Sequence, residues 1–374
     1  MAKRVILAVA GAGKTYHICH EIDPTKRNLI LAFTHENIYN IQKELCDAHG
    51  CVPELTTVST FDSFVYHQMI LPYEPSIADH FGHPKFVGRG ICTTDPPAQT
   101  IKDSKGKPVA NPLYKKKDSL AHYVTTNGQY YCATLSELVL QVKKQRESLI
   151  KRVAARLNMF YDCVLIDEFQ DFREHDYELI MALAKRLNDV VLVGDYYQHS
   201  VSATNNSGKP FKNKNAEVGY DDFVASIIKA GFTVDASTLA KSRRCSIDVC
   251  NYVRKKLGIE ITSNGDHGGT VNWIDNDPSS VLNDDRIIKL VFKEADKYSF
   301  PALNWSYSKG DTVDAACVIL TDGLDNLDSD KFNAGKVSPS TLNKLYVAMT
   351  RSRGDLYLMK ASTFKAIKDS YIAH

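Results

Sequence analysis

Ala8-Val9-Ala10-Gly11-Ala12-Gly13-Lys14-Thr15 lies directly after the apolar run Val5-Ile6-Leu7-Ala8 and directly before Tyr16-His17-Ile18-Cys19. An apolar run, a loop of small residues and renewed apolar spacing predict a strand, a tight loop and a helix. A helix N-terminus behind such a loop is a ready anion site, because backbone N–H groups converge there on phosphate oxygens. In this setting Lys14 reaches the β- and γ-phosphates of a nucleotide, and the Thr15 hydroxyl is placed to hold Mg²⁺. Gly11 and Gly13 allow backbone angles and a close approach that a side chain would prevent. Ala10, Gly11, Ala12, Gly13, Lys14, Thr15 and Tyr16 are therefore the candidate nucleotide-binding set. Ala8 stands where the motif more usually has glycine.

At 374 residues the chain has room for about two domains. Its 44% hydrophobic and 24% charged content is that of an ordinary globular protein. No apolar run approaches the roughly 18 residues of a membrane span. Met1-Ala2-Lys3-Arg4 leads straight into a strand, so we expect no signal peptide, no membrane partner and a cytoplasmic location. Nine cysteines occur without a C-x-x-C pair and are expected to be reduced and mostly buried. His80, His83 and Cys92 match no common metal-site spacing. The net charge of +2 is uneven: residues 99–158 carry twelve Lys/Arg against four Asp/Glu. Such a run is either a solvated face or a nucleic-acid contact.

Working outward along the chain, residues 28–34 form an apolar run suited to a buried parallel strand. It leads through Thr34 and His35 into an amphipathic helix with Ile38, Ile41 and Leu45 on one face. Residues 57–64 read as a short strand ending in hydroxyls and aromatics. Thr60, Phe61 and Phe64 suit a sugar-phosphate backbone, or the two rings are simply core. From residue 72 to 131 Pro, Gly, Tyr and Lys dominate, including Lys115-Lys116-Lys117 with Tyr114, Tyr123, Tyr130 and Tyr131 interleaved. This is read as an insertion on the first domain, covering 72–158. It ends in a helix over 134–153 opened by the capping box Thr134-Leu135-Ser136-Glu137. We see no internal repeats.

The strand Cys163-Val164-Leu165-Ile166 delivers Asp167-Glu168-Phe169-Gln170-Asp171 at its carboxyl end, the edge where open parallel sheets place ligand chemistry. Asp167 fits the organisation of Mg²⁺ through water, and Glu168 fits the group that orients an attacking water. A strand at 190–193 ends in Gly194-Asp195-Tyr196-Tyr197-Gln198, whose Gln198 amide suits sensing of a γ-phosphate. Residues 204–219 are polar loop. A second domain begins near residue 231, with a helix containing Ile247, Val249 and Val253, a turn at 263–269, strands at 271–274, 316–320 and 356–359, a helix over 281–295, and a helix at 345–353 carrying arginines at its end.

Together the stretches 10–15, 32–37, 59–64, 166–171, 193–198, 243–246, 308–312 and 346–353 resemble the UvrD/Rep/PcrA branch of superfamily 1 helicases along most of the chain. Asp-Glu-x-Gln-Asp combined with Val-Ala-x-Thr-Arg is the specific pairing. The resemblance implies an α/β protein of two RecA-like P-loop NTPase domains with parallel sheets, over 1–230 and 231–374, the first carrying the small basic insertion. ATP is expected in the cleft between them and single-stranded nucleic acid across their tops. Lys14, Glu168, Gln198, Arg244 and Arg351 would then be catalytic, with the two arginines on the γ-phosphate. Bland readings exist too, a surface ion pair for Arg244 and a helix-end cation for Arg351. Thr15 and Asp167 would serve Mg²⁺, while Arg243 and Gly310 would line the nucleotide. Thr34, His35, Thr60, Phe61, Phe64, Lys115, Lys116 and Lys117 would contact the strand.

The departures from the family pattern are specific. Only about four residues precede the first strand, where the family usually has an adenine-reading glutamine segment. Arg243 replaces the base-stacking aromatic, and Thr312 replaces the ribose-contacting glutamate. Ser200-Val201-Ser202-Ala203-Thr204 stands where a nucleotide-stacking Trp is usual. Arg244 and Lys309 are separated by only about 65 residues, where the larger helicases insert a whole extra domain. The resemblance therefore implies a pared-down ATP-dependent DNA helicase or translocase moving 3′→5′, with RNA as an alternative strand. The other reading is a nucleic-acid-gated ATPase switch serving a partner nuclease, or a replication or defence protein, in a prokaryotic or phage setting.

Overall fold

The computed structural model describes residues 3–144, 147–199, 208–213, 216–306 and 308–373. A six-stranded sheet contains β1 (Lys3–Leu7), β2 (Asn28–Ala32), β3 (Thr56–Thr60), β4 (Cys163–Ile166), β5 (Asp189–Gly194) and β6 (Thr233–Asp235), in the order β6-β1-β5-β4-β2-β3. β4 pairs in parallel with β5 on one side and β2 on the other, and β2 pairs in parallel with β3. The carboxyl ends of these four strands therefore open on one edge. All five residues of β2 are buried, the polar Asn28 through its own hydrogen bonds, and residues 29–32 accordingly read as an unbroken apolar run.

A helix follows each of the first three strands: α1 (Lys14–Glu21), α2 (His35–His49) and α3 (Phe61–Val65). The Thr34 hydroxyl caps α2 by accepting the Asn37 N–H at 3.1 Å, and Ile41 and Leu45 bury its apolar face. The strand expected over 57–64 stops at Thr60, where the Thr60 hydroxyl accepts the Ser63 N–H at 3.3 Å and starts α3.

The insertion has more order than its composition suggested. Ile91–Cys92 pairs with Tyr130–Tyr131, and Thr100–Lys102 forms an antiparallel pair with Pro108–Ala110. Its core is aromatic: Tyr123 and Tyr130 are fully buried, with hydroxyls donating to Lys117 O at 3.0 Å and Glu74 Oε1 at 2.9 Å. These two rings are thus structural, because a buried tyrosine needs a polar partner for its hydroxyl and finds it inside the insertion.

The single helix expected over 134–153 is two helices, α4 (Leu135–Gln141) and α5 (Leu149–Phe160), separated by the strand pair Lys143–Lys144 and Glu147–Ser148. The capping box does not form either, since no side-chain hydrogen bond caps α4 at Thr134. Glu137 instead faces Lys117, His122 and His175. After β4 comes α6 (Glu174–Ala184).

The second sheet is parallel at every pairing. β7 (Val271–Ile274), β8 (Ile287–Val291), β9 (Ala302–Asn304), β10 (Ala315–Ile319) and β11 (Leu356–Met359) run in the order β7-β11-β10-β8-β9. α7 (Ile247–Leu257) and α8 (Pro339–Met349) supply Val249, Val253, Leu345 and Tyr346 to a core that also contains the fully buried Trp305. The helix expected over 281–295 is a correction: it is a five-residue helix at Pro278–Leu282 followed by β8. Lys289 lies fully buried within β8, with its Nζ donating to Asp284 O at 2.8 Å and lying over the Phe300 ring. A lysine inside an apolar run mimics helical amphipathic spacing.

By its contacts the chain divides into two compact units: Met1–Val5, Thr15–Val193 and Val201–Val234 form one, and Ile6–Lys14, Gly194–Ser200 and Asp235–His374 the other. The loop at 8–14 and the segment after β5 thus group with the second unit. Residues 200–207, where the stacking Trp was expected to be replaced, lie outside the described residues, as does Tyr307. All nine cysteines are free thiols, five of them buried. Among the described residues no helix is long and apolar enough to cross a membrane.

Candidate nucleotide site

Thr15 and Asp167 are 152 positions apart in sequence, yet the Thr15 hydroxyl donates to Asp167 Oδ2 at 2.8 Å. Thr15 lies in the first turn of α1, and Asp167 follows the last residue of β4. Asp167 is only 2% exposed, and its N–H donates to Leu31 O at 2.9 Å on the neighbouring strand. A hydroxyl and a buried carboxylate held together present hard oxygen donors, the chemistry Mg²⁺ prefers. Among the described residues there is no cluster of three or more His, Cys, Asp or Glu that could hold a metal by protein groups alone.

Glu168 is the strained residue of the site. Its φ of 55° and ψ of 39° are left-handed, a conformation that costs a side-chain-bearing residue about 1–3 kcal/mol. The conformation is held by its own N–H, which donates to Asp167 Oδ1 at 2.9 Å, and by the Gln170 amide, which donates to the Glu168 carboxylate. Lys14 is 9% exposed at the start of α1, and Tyr16 is half-exposed, stacked on His20 with ring centroids 3.8 Å apart.

The phosphate loop itself has both glycines in the left-handed region, Gly11 at φ 71° and Gly13 at φ 83°. At Gly11 a Cβ would stand 2.5 Å from Arg244 Cβ and 2.8 Å from Ser242 Oγ, so only glycine fits. Gly11 O accepts the Arg243 N–H at 2.9 Å. The Ala10 N–H donates to the hydroxyl of Tyr346 at 2.8 Å, and that hydroxyl donates to Asp195 Oδ2 at 3.1 Å. Burial first, then the Asp195 charge, hold the Tyr346 hydroxyl well above its ordinary pKa, so it stays a donor. Tyr346 and Asp195 stood in stretches the sequence singled out, but their roles were not read. The available signal was a tyrosine within an apolar helix face, which when buried needs a partner.

The other expected residues are distributed as follows. Gln198 is buried at the end of the short turn after β5, its N–H bonded to Asp195 O. Arg244 donates from Nη1 to Thr350 O at 3.1 Å. Arg351 is 1% exposed, with Nε donating to Val347 O and Nη1 to Ser308 O and Asp311 O. It is therefore not a surface helix-end cation: it ties the end of α8 to the loop that carries Gly310, whose φ is 94°. Arg243 is exposed.

Of the expected nucleic-acid contacts, Thr34 and His35 are exposed at the start of α2, and Thr60 is half-buried at the end of β3. Phe61 and Phe64 are a correction. They are 1% and 3% exposed, and Phe61 packs against Phe33 and Phe172, because β3 ends in time to turn them inward. Within the lysine run all three residues are exposed, and Lys117 pairs with the buried Glu137.

A phosphate loop at a helix start, with the hydroxyl that follows it on a carboxylate at the end of a parallel strand of the same sheet, defines a nucleotide-binding α/β protein. The AAA domain family matches residues 2–204, more than half of the chain, and the chain belongs to that family. No curated protein matches the sequence. Among solved structures it is similar to the arterivirus nonstructural protein 10 helicase in complex with DNA, at 13% identity and a TM-score of 0.46, covering 96% of this chain and 60% of that one. It is also similar to the PRRSV helicase, at 14% identity and a TM-score of 0.45, covering 98% and 54% respectively. The chain thus spans 60% or less of the length of these structures.

Proposed function

We propose that this protein is an Mg²⁺-dependent ATP hydrolase driven by single-stranded nucleic acid, a pared-down superfamily 1 helicase or translocase of the UvrD/Rep/PcrA kind moving 3′→5′ on DNA. The observation that carries this reading is the 2.8 Å bond between Thr15 and Asp167, with Glu168 next in the chain. In this reading Thr15 and Asp167 hold the Mg²⁺ that accompanies the triphosphate and offsets its charge. The backbone of residues 10–13 and Lys14 grip the phosphates. Glu168 orients the attacking water, a role suited to a carboxylate whose direction is set by its own strained backbone and by Gln170. Residues 1–230 and 231–374 act as the two motor domains, with Gln198, Arg244 and Arg351 responding to the γ-phosphate. The exposed Thr34, His35, Lys115 and Lys116 supply strand contacts.

The test is steady-state ATP hydrolysis with and without single- and double-stranded DNA and RNA, for wild type and Glu168→Gln. Losing a positioned acid–base group costs at least about a hundredfold in turnover. We expect that loss in the variant, with nucleotide binding retained and wild-type turnover raised by a single strand. Wild-type turnover in Glu168→Gln would sink the catalytic assignment.

A further inference from the structure

We propose that Phe172 and Arg173 are positioning residues forming a two-point clamp, through which a nucleic-acid strand at the carboxyl ends of β2 and β3 acts on Glu168. This deepens the functional reading above and rests on it. The clamp joins consecutive residues to consecutive residues. Phe172, 4% exposed, meets Phe61 edge-on at 4.9 Å and 63°, and meets Phe33 edge-on at 4.9 Å and 71°. Arg173 Nη2 donates to Asp62 Oδ1 at 2.8 Å, and its Nε donates to Asp176 Oδ2 at 2.6 Å. Asp176 is 1% exposed and accepts a further hydrogen bond from Ser136 Oγ at 2.6 Å, so the base of the clamp is fixed.

Both anchoring points adjoin candidate strand contacts. Phe33 immediately precedes Thr34 and His35, and Phe61 immediately follows Thr60. At the other end, Phe172 is four residues from Glu168 through a closed turn: the Asp171 N–H donates to Glu168 O at 2.9 Å and the Phe172 N–H to Phe169 O at 3.3 Å. Gln170 within that turn donates to the Glu168 carboxylate. A displacement of the Phe61–Asp62 pair therefore has a short, packed route to the backbone of a residue already held in the left-handed region. Close-packed aromatic contacts and charge-assisted hydrogen bonds do not stretch gradually. They shift between discrete arrangements, which is what an on–off response needs.

The experiment compares wild type, Phe172→Leu, Asp62→Asn and Arg173→Lys as full chains. ATP turnover is measured without nucleic acid and with saturating oligo-dT or oligo-U of about twenty nucleotides, and oligonucleotide affinity and melting temperature are measured alongside. A coupling residue changes the response rather than either activity alone. Phe172→Leu and Asp62→Asn should keep unstimulated turnover and oligonucleotide Kd within about twofold while stimulation falls at least about fivefold, the lower end of ordinary coupling. Arg173→Lys, which keeps the charge on Asp62 and Asp176, should recover part of the stimulation. Full stimulation in both Phe172→Leu and Asp62→Asn would overturn the clamp, as would an equal fall in unstimulated and stimulated turnover, the mark of a merely structural role. If wild type itself responds to no strand, the functional reading fails and the clamp falls with it. That outcome is visible before any variant is compared.

Discussion

The stretch from Asp167 to Arg173 and the lysine-bearing segment of the insertion are both rich in charge, and they use it in opposite ways. In the first, charged groups order one another along a short path. Asp167 meets Thr15, Glu168 is held by Asp167 and Gln170, and Arg173 binds Asp62 and Asp176. In the second, one lysine of three, itself half-exposed, is tied to a buried partner. Lys117 pairs with Glu137, a carboxylate 8% exposed, while Lys115 and Lys116 stay on the surface. Neighbouring residues of one type thus divide between holding the insertion in place and facing solvent. Charge that is buried and paired sets geometry; charge left outside is available to a long-range partner such as phosphate.

The sharpest way to break the first pattern is Thr15→Val, which keeps the side-chain shape and removes the hydroxyl from Asp167. Placing the metal ion that accompanies phosphate is worth several kcal/mol in the transition state, so turnover should fall by roughly a hundredfold or more. The Mg²⁺ concentration needed for half-maximal hydrolysis should rise with it. A Mg²⁺ titration of ATP hydrolysis reads both, and an unchanged profile would remove Thr15 from the metal site.

Glu137→Gln probes the second pattern through stability. Burial alone would raise the Glu137 carboxyl, but hydrogen bonds from His122 and Lys117, with the nearby His175, bring it from 4.5 down to about 2. A folded-state pKa below the ordinary value stabilises the fold above pH about 4.5, and that contribution fades as pH falls toward 2. At pH 7 the variant should lose about 3 kcal/mol, the scale for removing one member of a buried pair. The gap from wild type should close on acidification. Denaturant unfolding at pH 7, 4 and 3 checks the sign; a gap that widened with acid would contradict the assignment.

These two regions were not equally legible beforehand. The strands at 163–166 and 356–359 stand where their apolar runs predicted them, because a strand buried in a parallel sheet carries its signal locally, and the edge strand at 271–274 also stands where it was expected. The same holds for the phosphate loop and Asp167, where each motif is read from a few adjacent residues. What stayed hidden depends on partners distant in sequence. Thr134 and Glu137 have capping-box spacing, yet Glu137 is claimed by Lys117, His122 and His175. Phe61 read equally as a sugar-phosphate contact or as core, and Phe33 and Phe172, distant in sequence, close on it as core. Lys289 hid β8, since nothing local says that Asp284 O and the Phe300 ring will receive a buried ammonium.

The smallest expected effect separates the lysines themselves. A lysine that neutralises a phosphate displaces a condensed counterion, so its removal flattens the dependence of log Kd on log salt by roughly one unit for each contact. Replacing exposed Lys115 and Lys116 together by alanine should flatten the slope by up to about two, with little change in melting temperature. Lys117→Ala should do the reverse. Its half-exposed side chain is engaged by the buried Glu137, so the slope should hold while the melting temperature drops, because the variant leaves a buried carboxylate short of one partner. Fluorescence anisotropy with an oligonucleotide at several salt concentrations, beside thermal unfolding of the same samples, distinguishes the two. If Lys117→Ala flattened the slope as much as the other pair, all three ammonium groups would have to reach the strand. The pairing with Glu137 would then have to open on binding, and the insertion would be a moving element rather than a fixed basic surface.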